Sequence, residues 1–151
     1  MKALQAKMLT LSDVLTQSIL GLAVTAGFGI LFNVPPENLV YCALIGAGGY
    51  TLRFALRAIG LSNEVATFCG SFAVGIVGYV AARRLQKPRL IFTVTGIISM
   101  VPGIPAYEMI IYFSRSDTLH GLESAVSAFL VAGSIAAGLS TARLLSELRA
   151  S

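Results

Sequence analysis

Long apolar stretches, each about the length of a bilayer crossing and each closed by a short polar or proline-bearing interruption, alternate along this chain. Five of them occupy residues 14–32, 39–59, 64–82, 90–113 and 122–145. A helix rises about 1.5 Å per residue, so roughly 20 apolar residues cross a hydrocarbon core. The pattern predicts an all-α, polytopic membrane helix bundle: one integral membrane domain over residues 1–151 with five transmembrane segments.

The interruptions carry their own signals. Asn33-Val34-Pro35-Pro36-Glu37-Asn38 ends the first segment, because two prolines remove backbone donors and force a turn. Gly60 supplies a left-handed cap after the second, and Ser62 or Asn63 caps the third, with Glu64 near its positive end. The first segment follows Lys2 and Lys7, as in a signal peptide, but residues 14–32 are too long for a usual signal core and read as a retained span. Small residues recur four apart at Ala23 and Gly27, at Ser71 and Gly75, and at Gly133, Ala137 and Thr141. Such spacing lets helices approach closely in lipid, either within this chain or against another subunit.

Composition narrows the function classes. Of the 151 residues, 56% are hydrophobic and only 12% charged, with a mean hydropathy of +0.81. Soluble domains carry about twice that charge, so a soluble enzyme is excluded. The formal charge of +4 sits at the ends of apolar runs, which fits span orientation rather than a nucleic-acid face. Arg83, Arg84, Lys87 and Arg89 place the loop after the third span in the cytoplasm, with six Lys and Arg inside against four outside (Lys2, Lys7, Arg57 and Arg115) when five segments cross. The count evens out if the fourth segment is re-entrant. Cys42 and Cys69 lie in apolar runs and His120 stands without partner ligands, so neither a disulfide, a metal site nor a cofactor is expected.

The fourth segment holds the most informative residues. Pro102-Gly103-Ile104-Pro105 is expected to break that helix into halves of about 11 and 8 residues. Freed backbone groups in a membrane survive only when buried in protein or lining a watery cavity, and half-helix N-termini at such breaks bind anionic groups in transporters. A plain proline kink is the alternative. Glu108, in the first turn after the break, either complements the helix dipole or titrates, and Tyr107 offers a hydroxyl or an interfacial anchor. Arg53, about 10 Å below the helix end, either snorkels or faces the bundle interior, where Glu64, Glu108 or a substrate carboxylate would pair with it. The preceding Gly46-Ala47-Gly48-Gly49-Tyr50 favours the interior. No nucleophile and base pair, phosphate loop or His-Glu-x-x-His is present, and no enzyme is expected.

Phe32-Asn33-Val34-Pro35, Cys42-Ala43-Leu44-Ile45-Gly46, the stretch 53–64 and above all Met100-Val101-Pro102-Gly103-Ile104-Pro105-Ala106-Tyr107 resemble the threonine/serine exporter (ThrE) family. The short length resembles its YjjB-type split subunits, which correspond to the C-terminal membrane half of the full-length exporters. The resemblance implies ion-gradient-driven export of small carboxylates, either threonine/serine-type amino acids or dicarboxylates such as succinate. It also implies a multi-pass protein of the cell inner membrane working with a second membrane subunit of the YjjP type, so that a lone copy does not transport. The implied substrate path draws on Arg53, Glu64, Pro102, Gly103, Pro105, Tyr107 and Glu108. The competing reading is a scaffold that stabilises or inserts a partner membrane protein.

Overall fold

The computed structural model describes residues 11–148 and is all-α over that range. Lys2, Lys7 and Arg149, three of the cations counted for orientation, lie outside the described residues. Six helices follow one another: α1 (Leu11–Leu31), α2 (Pro36–Ala58), α3 (Asn63–Leu85), α4 (Arg89–Ile97), α5 (Gly103–Ser114) and α6 (Thr118–Leu148). A single 3-10 turn, Ile98–Met100, extends α4.

The punctuation acts as local chemistry dictates. Pro36 starts α2 where a missing N–H costs nothing, and Glu37 sits in its first, electropositive turn. Gly60 takes φ +98° and its amide donates to the Arg57 carbonyl at 3.1 Å, closing α2. Ser62 caps α3 by accepting from the Val65 amide. This helix runs three residues past its expected end at Ala82, because Gln86 accepts the left-handed conformation and caps Leu85.

The core lies where α2, α3 and α4 meet, around Cys42, Ile45, Val74, Phe92 and Met100. On one flank α1 packs along α2 through Gly21 and Gly29, and Ser18 and Thr51 share a hydrogen bond of 2.8 Å. On the other, α6 packs along α3. Ser71 faces Ser134 and Gly138, and Gly75 faces Leu139 and Ala142, so the two helices advance in the same direction.

That parallel pairing decides the crossing number. Were α4 and α5 re-entrant, α6 would start on the side where α3 ends and run against it. Instead Arg89, at the start of α4, meets Glu147, at the end of α6, at 3.8 Å. Taken together, α4 and α5 then form one candidate span bent by 53°, which makes five candidate spans among the described residues. One end gathers Glu37, Lys87, Arg89, Arg143 and Glu147, tied by Lys87–Glu37 at 3.1 Å and Arg143–Glu147 at 2.8 Å.

The small-residue stripes divide. Ser71 and Gly75 are buried against α6, whereas Ala23, Gly27, Gly133, Ala137 and Thr141 are exposed, with nothing within 4 Å of a Cβ added at Gly27 or Gly133. The inward stripe of α6 is Gly138, Ala142 and Ser146, one position on from the expected one.

Candidate functional site at the broken helix

The site begins with two glycines. A Cβ on Gly70 of α3 would lie 2.9 Å from the Gly49 carbonyl and 2.9 Å from Met100 Sδ, so α2 and α3 cross in backbone contact with Met100 wedged beside them. Met100 is fully buried and anchors the end of the 3-10 turn. One turn beyond Gly49, Arg53 points into the same crossing. Its Nη1 donates to the Met100 carbonyl at 3.1 Å and its Nη2 to Asn63 Oδ1 at 3.0 Å. Nε is buried without a partner, as is Ser99 Oγ nearby.

The break itself is an inverse γ-turn. Pro102 holds φ −77° and ψ 61°, and the Gly103 amide donates back to the Val101 carbonyl at 2.8 Å. Ala106 donates to the Pro102 carbonyl at 3.2 Å and Pro105 has no amide, so Ile104 keeps the unpartnered N–H of the first turn of α5. The Met100 carbonyl that a continuous helix would pair with Ile104 belongs to Arg53 instead. An arginine thus caps the first half-helix, as cations near a helix C-terminus do.

Here the expected division shifts. Pro105 lies within the first turn of α5, where its missing donor is harmless, so the break falls before Gly103 and Pro102 makes it. Gly103 has ordinary helical geometry, not a positive φ, and a Cβ there would meet open space. The halves are nine residues for α4, lengthened by the three-residue 3-10 turn, and twelve for α5.

Between the break and the α2–α3 crossing lies a cleft of about 220 Å³. Arg53, Arg57, Asn63 and Ser99 supply its polar wall, Tyr50, Phe54 and Val131 part of its apolar wall, and Val101 to Pro105 its rim. Of the residues chosen from sequence, Arg53, Pro102, Gly103 and Pro105 converge here. Glu64, Tyr107 and Glu108 do not line the cleft. Tyr107 and Glu108 are exposed on α5, which swings out to pack on α6 and has no buried residue. Arg53 pairs with neither Glu64 nor Glu108; its partners are the backbone and an amide. The sequence reading gave Asn63 only as a possible cap, did not single out Ser99, and counted Arg57 only among the cations that orient the spans. The signal for Asn63 was faint: an amide side chain opening α3, ten positions after an intramembrane arginine and across a tight turn.

A family model described as "Threonine/Serine exporter, ThrE" matches residues 17–145. An uncharacterized protein of Haemophilus influenzae (strain ATCC 51907 / DSM 11121 / KW20 / Rd) is 37% identical over 130 residues, covering 79% of this chain and 43% of the relative. The chain therefore spans less than half the length of that relative. No solved structure matches it.

Proposed function

We propose, from the premise that this chain belongs to the threonine/serine exporter family, that it supplies the substrate cleft of a two-component exporter of small carboxylates in the cell inner membrane. The observation that carries this reading is the charge of the cleft wall: two guanidinium groups, Arg53 and Arg57, and no carboxylate among the residues lining it. A carboxylate entering a low-dielectric cleft needs such compensation, and charge-assisted bonds to guanidinium are among the strongest available. An amino acid also brings an ammonium group, for which this wall holds no acid. A dicarboxylate such as succinate matches both cations, so of the two substrate classes the wall favours the dicarboxylate.

A YjjP-type second subunit is part of the proposal. Supporting it is the outward stripe of Gly133, Ala137 and Thr141, a face of small residues left exposed on α6. The test is counterflow of labelled succinate, threonine and serine in proteoliposomes holding this chain with such a partner. Uptake is expected to favour succinate, and Arg53→Gln is expected to raise the half-saturating concentration at least tenfold. Equal counterflow by wild type and Arg53→Gln would leave a packing kink and a scaffold.

A further inference from the structure

The guanidinium of Arg53 is only partly satisfied, and the pattern of its bonds is specific. A guanidinium presents two parallel N–H bonds along the edge formed by Nε and Nη2, the fork that grips both oxygens of a carboxylate. In this structure Nη1, off that edge, holds the Met100 carbonyl, Nη2 holds the single amide oxygen of Asn63, and Nε holds nothing. A buried N–H without a protein partner is costly unless something else satisfies it. Of the two nitrogens on the edge that fits a carboxylate, Nη2 is engaged by one neutral oxygen and the buried Nε has no protein partner, beside a cleft that Arg53 and Asn63 both line.

We infer that the Nε and Nη2 edge of Arg53 is the carboxylate fork of the cleft, and that Asn63 is a positioning residue whose amide oxygen occupies it until a carboxylate takes its place. This rests on the carboxylate-exporter reading above. The exchange leaves Nη1 on Met100, so the broken helix keeps its cap while the ligand binds. Asn63 sets affinity through competition: it holds the guanidinium rigid and yields one hydrogen bond to the incoming anion.

Two substitutions at Asn63 act in opposite directions. Ala at the first position of α3 is a good helix former, and Asp there suits the positive helix end, so both variants fold. Asn63→Ala vacates Nη2 and is expected to lower the KM for succinate counterflow by about fivefold, the worth of one ordinary hydrogen bond. Asn63→Asp places a resident carboxylate on the fork and is expected to raise KM at least tenfold. A merely structural asparagine would shift both variants the same way, or shift kcat alone, and either result overturns the inference. A second readout keeps it separable from the transport proposal. Full-length chain with 15N-labelled arginine is titrated with succinate, and the Arg53 Nε resonance, identified by its loss in Arg53→Lys, is followed. A shift in wild type that is abolished in Asn63→Asp supports the fork even if counterflow is absent. An unresponsive Nε overturns it even if counterflow is normal.

Discussion

At the scale of single residues, identity one position along a helix decides what meets what. Asn63 and Glu64 are neighbours, yet successive residues on a helix point about 100° apart, so the amide reaches Arg53 and the acid does not. The apolar context of Arg53 and the glycines before it were legible in the chain, and its inward orientation follows from them. Its partner was not, because no sequence signal gives the rotation of α3 about its own axis. The glycines can be told apart by test. Gly70→Ala would press a methyl group on the Gly49 carbonyl, a backbone atom that cannot swing aside, and is expected to cost about 1–3 kcal/mol with a lower melting temperature of the detergent-purified protein. Gly103→Ala meets open space at a helix start and is expected to leave that temperature within about 1 °C, since removing Gly from a helix is mildly favourable. Equal destabilisation by the two substitutions would dissociate the α2–α3 crossing from the stability of the fold.

At the scale of elements, the fourth span shows how a motif can be read correctly as a break and still be misassigned residue by residue. Two prolines and a glycine predicted interruption, and it is there, but Pro102 alone shapes the turn. Pro105→Ala is expected to keep the 53° bend, since position 105 lies in a first turn whose amide needs no helical partner. Pro102→Ala restores an amide and frees φ, and is expected to straighten the span. Spin labels at Leu90 and Ile110, both exposed, report this by pulsed EPR. Arms of about 15 Å should separate by roughly 3 Å more on straightening. A similar lengthening with Pro105→Ala would return that proline to the break. The helical bundle with its four to five candidate spans was legible because apolar length is set by the bilayer. The outward swing of α5, which takes Tyr107 and Glu108 away from the cleft, depends on its packing against α6 and left no mark in the residues themselves.

At the scale of the whole molecule, the parallel course of α3 and α6 favours five spans, the count under which the charges are unequal. Among the described residues, the end bearing Arg83, Arg84, Lys87, Arg89 and Arg143 carries two acids, Glu37 and Glu147, both ion-paired, and by the positive-inside rule that surplus predicts a cytoplasmic face. With Cys42→Ser and Cys69→Ser as background, a cysteine replacing the exposed Gln86 is expected to resist an impermeant thiol reagent in intact cells, and one replacing the exposed Ser116 to react. The reverse pattern would turn the molecule over without altering the cleft. Five crossings also have a consequence of parity. If all five candidate spans cross, Leu11 and Leu148 stand at opposite faces of the bundle, and two domains attached at those points would meet opposite compartments. For the same reason, a like unit fused directly behind this one inserts upside down. The resulting pair carries one arginine-lined cleft facing each way, the symmetry from which alternating-access carriers are built.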